Sequence, residues 1–177
     1  MDVSPGEVTE LGLDSGAGTD SGAVTIPDGI YTVVIDADQP VVAGVRVSTA
    51  VDPTAADPAA ADTTAPASDF AWFDPSEVLT QNTAVSIAPG PAPMLSVMNP
   101  TTVAVTLTLD AAGSGSDLTL LVPAGGSASI GVAPGPTSLL TNARGLFAAV
   151  SYAGDARLAH YPVVSAGPVS GPIVIHP

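Results

Sequence analysis

The chain contains no cysteine and no lysine, and only 4% of its residues are aromatic. Without cysteine it can form no disulfide, bind no metal through thiolates and use no thiol nucleophile. Its basic residues are Arg46, Arg144 and Arg157, and its net charge is −14. Because phosphate backbones are bound through clustered lysine and arginine, nucleic acid is not an expected partner. An anionic membrane surface is excluded as a partner for the same reason.

Long hydrophobic runs are also missing. No segment reaches the roughly 18 consecutive apolar residues that a membrane-spanning helix needs. Residues 1–5 have neither the basic nor the apolar region of a signal peptide. If the chain begins inside a repeat, as proposed below, an export signal or membrane anchor is expected on sequence that precedes it.

What the chain does contain is a β-forming composition. Hydrophobic residues make up 46% of it, and they are alanine, valine, leucine and isoleucine rather than large rings. The 18 glycines and 18 prolines interrupt the sequence too often for long helices. Valine and threonine dominate the runs between these residues, as is typical of strands. The composition therefore predicts an all-β protein.

One β-rich unit occurs nearly twice in the sequence. Residues 29–47 align without a gap with residues 145–163, at an offset of 116 residues. Residues 3–13 align with residues 122–132 at an offset of 119 residues, so three extra residues separate the two blocks in the first copy. The first copy has no counterpart of the front half of the second. This pattern predicts a tandem repeat with a partial first copy.

Short runs of valine, leucine, isoleucine and threonine, each bounded by glycine, proline, asparagine or aspartate, predict the strands. In the first copy they cover residues 8–13, 30–35 and 41–47. In the fuller copy they cover residues 94–98, 103–109, 118–122, 127–132, 137–140, 146–152 and 157–163. This number of short strands at turn-marked intervals favours an antiparallel, immunoglobulin-like β-sandwich.

Three segments follow from this pattern. Residues 1–51 are predicted to be a partial β-domain, equivalent to the back half of a repeat. Residues 52–69 are rich in alanine, proline and aspartate, which predicts a linker. Residues 70–177 are predicted to form a β-sandwich domain. Since three strands without a partner sheet are marginally stable, residues 1–51 are expected to dock on the second copy or to belong to a longer protein.

The sequence contains no convincing catalytic or metal-binding pattern. Ser114 and Ser116 lie in a Gly-Ser repeat and not in a G-x-S-x-G turn. His160 falls in a predicted strand and His176 is the penultimate residue, so neither has a partner at the spacing that a triad or a metal site needs. We therefore expect a protein that is not an enzyme and that has no cofactor.

The carboxylates are interpreted as solvated. Asp36 and Asp38 are close enough to suggest a glycosidase pair, but they fall on a predicted hairpin tip. Asp52, Asp57 and Asp62 recur every fifth residue, whereas a calcium loop of the EF-hand type alternates its ligands around a glycine. An exposed turn and an acidic linker explain both groups.

Phe70, Trp72 and Phe73 are the candidate contact residues, because they bring the only tryptophan together with two of the three phenylalanines. In a chain so poor in rings, the favoured interpretation is packing, with Trp72 closing one end of the sandwich or the junction between the copies. The alternative is a ligand or partner contact, since exposed aromatic rings stack on the apolar faces of sugars.

Four strings carry a resemblance to a known family: residues 37–46, 69–73, 95–100 and 122–127. In these strings the chain resembles a large actinobacterial cell-envelope family of unknown function (domain-of-unknown-function family 5719). The resemblance implies an exported, membrane-anchored protein with tandem β-domains, located in the cell envelope or outside the cell. It brings no catalytic residue with it. The expected function is a non-catalytic structural or interaction module that contacts envelope proteins or glycans, and the alternative is a carbohydrate- or cell-wall-binding module that uses Trp72.

Overall fold

The computed structural model describes residue 4 and residues 6–14, 24–26, 29–50, 68–110, 116–154 and 157–167. The chain divides into two compact units, residues 1–33 and residues 34–177. Throughout the described residues the secondary structure consists of strands, turns and irregular segments. The prediction of an all-β protein is confirmed to this extent.

The first unit contains one short pair of strands. Strand β1 (Leu13–Asp14) and strand β2 (Val24–Thr25) pair in parallel. The backbone N–H of Val24 donates to the carbonyl of Gly12 at 2.9 Å. The strand predicted over residues 8–13 is wrong except at its last residue, because residues 8–12 pair with no described strand.

In its described residues the second unit has ten strands. They are β3 (Val45–Ala50), β4 (Ser68–Phe73), β5 (Thr83–Ile87), β6 (Met94–Met98), β7 (Val105–Asp110), β8 (Leu118–Val122), β9 (Ser127–Gly131), β10 (Gly135–Thr141), β11 (Phe147–Gly154) and β12 (Arg157–Pro162).

Eight of these strands form two four-stranded antiparallel sheets. One sheet has the order β5-β10-β7-β8 and the other has the order β12-β11-β6-β9. The sequence alternates apolar and polar residues along these strands, so each sheet has one apolar face. The strands β3 and β4 form a separate antiparallel pair, which we call the ribbon.

The two four-stranded sheets share one hydrophobic core. Along β7 the buried residues are Leu107 and Leu109, and along β11 they are Ala148, Val150 and Tyr152. Both sets belong to a single buried cluster, whose members are Leu79, Val85, Ile87, Leu95, Val97, Leu107, Leu109, Val122, Val132, Leu140, Ala143, Leu146, Ala148, Val150, Tyr152 and Val163. The fold is therefore all-β and sandwich-like, with a core of aliphatic side chains.

Asn99 fixes one end of this core. It is fully buried at the end of β6, and its side-chain amide donates to the carbonyls of Val103 at 2.8 Å and Pro123 at 3.1 Å. Its oxygen accepts from the backbone N–H of Thr101 at 3.0 Å and from the hydroxyl of Thr101 at 2.7 Å. Asn99 thus satisfies the backbone groups of the chain where it leaves β6 and β8.

The ribbon has two chemically different faces. Arg46 lies opposite Trp72, Val47 opposite Ala71 and Ser48 opposite Phe70 in its register. Because side chains alternate along a strand, one face carries Arg46, Ser48, Phe70 and Trp72, which are exposed. The other face carries half-buried side chains, namely Val45, Val47, Thr49, Asp69, Ala71 and Phe73.

Two strand predictions from the first copy are corrected by the structure. Residues 30–35 form no strand, although the aligned residues 146–151 run into β11. The strand predicted over residues 41–47 begins only at Val45. The same local pattern has different outcomes because β11 lies between two partner strands, whereas residues 30–35 pair with no described strand.

The strand predictions for residues 94–163 agree more closely with the structure. The strands β6 and β8 have the predicted bounds, and β9 to β12 lie within a few residues of them. The strands β4 and β5 were not predicted, and the last two residues of the predicted linker, Ser68 and Asp69, lie in β4. The rest of the linker, residues 52–67, falls outside the described residues.

In the part of the chain that the structure describes, no helix has the length and apolar character needed to cross a membrane.

Candidate functional site

Strand β4 separates the three candidate aromatic residues. Phe70 and Trp72 lie on the exposed face of the ribbon, while Phe73 lies on the half-buried face. This follows from the strand period of two residues, which places residues 70 and 72 on one face and residue 73 on the other. The sequence could group these rings, but without the strand assignment it could not separate them.

The exposed face joins two rings to one cation. Trp72 is 60% exposed and Phe70 is 54% exposed. The guanidinium carbon of Arg46 lies 4.9 Å from the centroid of the Phe70 ring, within the range of a cation–π contact. Arg46 is also the cross-strand partner of Trp72. We call Arg46, Phe70 and Trp72 the aromatic face.

Gly44 borders the aromatic face on the side of Trp72. A Cβ atom at this position would lie 3.7 Å from Cε3 of the indole, in ordinary van der Waals contact. The indole therefore lies beside a residue without a side chain. Trp72 lies outside the buried core of its unit, and its role in packing stays a prediction.

The other face of the ribbon contacts β12 through two pairs of residues. The ring of Phe73 stacks on the imidazole of His160, with a centroid separation of 4.2 Å and an interplanar angle of 12°. The Oδ2 atom of Asp69 accepts a hydrogen bond from the backbone N–H of Leu158 at 2.8 Å. These contacts join β4 to the sandwich side by side, without a backbone ladder between the strands.

The imidazole of His160 is incompletely satisfied. Its Nδ1 atom is buried and has no hydrogen-bond partner. Burial lowers the pKa of His160 below its ordinary value, and the negative charge of Asp74 opposes this shift. The neutral imidazole is thus favoured in this position.

A cleft of about 510 Å³ lies beside the ribbon. Its walls are mainly apolar and aromatic, and they include Pro89, Pro91, Tyr152 and Tyr161. The hydroxyl of Tyr161 donates to the carbonyl of Ser86 at 2.6 Å, which fixes this ring on the wall. Burial, together with the neighbouring Tyr152 phenol, raises the pKa of Tyr161.

The other candidates from the sequence do not converge on a site. Asp36, Asp38 and Ser116 are exposed and distant in the chain from His160, whose Nδ1 lacks the partner that a triad requires. Among the described residues no group of three or more histidine, cysteine or acidic residues could hold a metal ion. Ser114, His176, Asp52, Asp57 and Asp62 lie outside the described residues.

Sequence reasoning missed two members of this region, Arg46 and His160. Arg46 was treated only as one of three scattered cations, although the alternation Val45-Arg46-Val47 already indicates an outward-facing cation on a strand. His160 lies in β12, as the sequence predicted, and β12 is an edge strand of its sheet. Its contact with Phe73 had no signal in the sequence, because the two residues are 87 positions apart.

Comparison of the chain with protein-family models, with curated proteins and with solved structures finds no match.

Proposed function

We propose that the chain is a non-catalytic interaction module that binds a partner through the aromatic face of its ribbon. The observation that carries the proposal is the exposure of Trp72, at 60%, beside the exposed ring of Phe70. Leaving large rings in water forgoes roughly 1.5–3 kcal/mol of burial energy per side chain, so a pair of exposed rings on one face favours a contact surface. The sandwich provides a rigid support for this face.

The distribution of positive charge also supports the aromatic face as a contact surface. The chain has only three basic residues among 177, and one of them, Arg46, lies on the aromatic face. Tyrosine, tryptophan and arginine are enriched where proteins contact partners, and lysine and glutamate are depleted there. The aromatic face has this composition, whereas the molecule as a whole is strongly acidic.

Co-sedimentation with an insoluble cell-envelope fraction tests the interaction module. We expect the full chain to sediment with the fraction, and the double variant Phe70→Ala/Trp72→Ala to remain in solution. Leu121→Ala is the matched control, since Leu121 is 63% exposed and lies on β8, an edge strand of the sheet that does not contain β12. Equal sedimentation of the double variant and the control would contradict the proposal.

A glycan is the second candidate ligand, and the spacing of the rings favours it. Phe70 and Trp72 are alternate residues of one strand, so they lie about 7 Å apart on the same face. Two flat rings side by side can stack on neighbouring units of a saccharide, while the guanidinium of Arg46 supplies directed hydrogen-bond donors. The nature of the donors favours saccharides that carry carboxylates.

Fluorescence of Trp72 reports this binding directly, because it is the only tryptophan. We expect a saturable change on titration with carboxylated oligosaccharides and a weaker response to their neutral analogues. Arg46→Gln should lower the affinity for the carboxylated forms about tenfold and leave the neutral forms unaffected, since about 1.4 kcal/mol of charge-assisted bonding is lost. An unchanged spectrum with every glycan would exclude this candidate while leaving a protein partner open.

We further propose that the sandwich is immunoglobulin-like and that residues 1–51 are the incomplete copy of a tandem repeat. In support, β6 pairs with β9 in one sheet and β7 pairs with β10 in the other, as strands B and E and strands C and F do in that fold. The strands β5 and β11 correspond in order to strands A and G of that fold. They have exchanged sheets relative to it, because β5 pairs with β10 and β11 pairs with β6.

The cell envelope or the extracellular space is the location that we propose for this module. The support comes from the sequence strings that resemble the actinobacterial envelope family, and from an exposed aromatic face suited to wall-associated partners. Cell fractionation of the native organism, with an antibody against the sandwich, tests it. Recovery of the protein in the cytoplasmic fraction would overturn the proposed location.

A further inference from the structure

One of the contacts between the ribbon and β12 is made by His160. The Phe73 ring lies parallel to the imidazole at 4.2 Å, and the Nδ1 atom is buried without a partner. An imidazole that is protonated carries a hydrogen on both nitrogens and a full positive charge. In this position the added Nδ1–H would have no acceptor, and burial would oppose the positive charge.

Few charged groups around His160 could compensate for that charge. The acidic residues of β4 and of the position after it are Asp69 and Asp74, and of the two Asp74 acts electrostatically on the imidazole. Asp69 is already engaged, since its two carboxylate oxygens accept from the backbone N–H groups of Phe70 and Leu158. On β12 itself the ionisable residues are Arg157 and Tyr161.

Among the described residues, the positions that β11 and β3 place beside His160 carry no ionisable group. The cross-strand neighbour of His160 on β11 is Ser151. The half-buried positions of β3 are Val45, Val47 and Thr49. In this part of the chain His160 is therefore the group that takes up a proton on mild acidification, and Asp74 is the carboxylate that opposes release.

We propose that His160 is a pH-sensitive latch, which in its neutral form holds the ribbon on β12 and on protonation releases it. Because Phe73 points inward from the same strand on which Phe70 and Trp72 point outward, loosening Phe73 also frees the aromatic face. The latch itself stands on the packing of β4 and β12. Its consequence for binding rests on the proposed function, and would appear as weaker binding in mildly acidic surroundings.

The direction in which the pKa of His160 is shifted decides at which pH the latch is lost. The folded protein holds His160 with a pKa below its ordinary value, whereas the unfolded chain or the released ribbon has the ordinary value. The contribution of the latch is thus fully present above about pH 6.5, and it is lost as the pH falls through the lowered folded value.

The steady-state anisotropy of Trp72 in the full chain, without ligand, tests the latch. Between about pH 7.5 and about pH 5, above the range in which ordinary carboxyl groups titrate, we expect the anisotropy to fall as the ribbon gains mobility. Amide hydrogen exchange of β3 and β4 should rise in the same interval, while exchange of β6 and β7 stays unchanged. His160→Phe keeps a ring against Phe73 without a titrating group, so its anisotropy should be constant.

Two further variants change the release in different ways. Asp74→Asn should move the midpoint of release to higher pH, because the protonated imidazole in the docked ribbon loses the carboxylate that stabilises it. Phe73→Leu should make the pH profile shallower, because a smaller neighbour leaves the imidazole better hydrated and brings its pKa in the docked ribbon toward the ordinary value, so that protonation opposes docking less. A flat wild-type profile, or an unchanged transition in His160→Phe, would overturn the latch. Binding at about pH 7.5 is measured separately, so a failed latch and a failed binding surface give different results.

Discussion

The carboxylate of Asp69 accepts a hydrogen bond from the backbone N–H of Leu158 at 2.8 Å. Leu158 belongs to β12, the edge strand of its sheet, whose outer backbone groups have no further strand to pair with. An unpaired edge is where sheets add strands from other molecules. Asp69 satisfies one of these edge groups and so anchors the ribbon where it approaches the sandwich.

Replacement of Asp69 tests this anchor. Asp69→Ala should loosen the ribbon and destabilise its docking by about 1–2 kcal/mol, because a hydrogen bond to a charged acceptor is lost. Amide exchange at Leu158 and along β4 is the measurement. Asp69→Asn retains an acceptor oxygen and should lose less. If both variants exchange like the wild type, the ribbon is held by the other contacts alone.

Asn99 is the polar residue on which the core depends most. Its amide and its oxygen together satisfy the carbonyls of Val103 and Pro123 and the N–H and hydroxyl of Thr101. Asn99→Ala should lower the free energy of unfolding by about 3 kcal/mol, since several buried groups lose their partners at once. Denaturant unfolding measures the loss.

Thr101→Val provides the graded comparison for Asn99. It removes one hydroxyl donor at 2.7 Å but leaves the Asn99 amide bonds in place. We expect a loss of about 1 kcal/mol. A loss in Asn99→Ala no larger than that in Thr101→Val would show that water satisfies the backbone groups of these loops when the amide is absent.

The sequence predicted the strands of the sandwich well because alternation and turn residues coincide there. Val105, Leu107 and Leu109 lie on the face expected for them, although Val103 falls before the strand and is 69% exposed. The pattern over residues 30–35 is equally apolar and yet forms no strand. A local apolar pattern indicates that a segment can pair as a strand. Whether it does so depends on the presence of a partner strand beside it.

The sequence identified the aromatic residues of the candidate site, but it did not predict on which face each of them lies. The residues 69–73 were recognised as unusual from their rings, whereas the pairing of β4 with β3 depends on contacts across a long intervening segment. That pairing turned Phe70 and Trp72 outward and brought Phe73 onto His160. Sequence spacing carries no information about which strand lies beside another, so Arg46 and His160 entered the site only with the fold.

Trp72 should be nearly irrelevant to stability. Because it is 60% exposed, Trp72→Ala should change the free energy of unfolding by less than about 1 kcal/mol. Leu95→Ala is the contrasting variant, as Leu95 is fully buried, and it should cost about 2–5 kcal/mol. Thermal or denaturant unfolding compares the two. A cost for Trp72→Ala as large as that for Leu95→Ala would support the packing interpretation of the tryptophan.

Tyr161 makes the stability of the protein depend on pH in the alkaline range. Burial and the neighbouring Tyr152 phenol raise its pKa above the ordinary tyrosine value of about 10. A raised folded pKa means that the stability Tyr161 contributes is complete below about pH 10 and declines as the pH rises further, since the unfolded chain ionises first. Difference absorbance of the tyrosinate between wild type and Tyr161→Phe measures the ionisation in the folded protein.

The same variant removes the 2.6 Å hydrogen bond to Ser86, so it should be less stable by about 1 kcal/mol at neutral pH and should lose less stability than the wild type on further alkalinisation. Ionisation of Tyr161 at about pH 10 in the folded state would mean that water reaches its hydroxyl and that the wall of the cleft is open there.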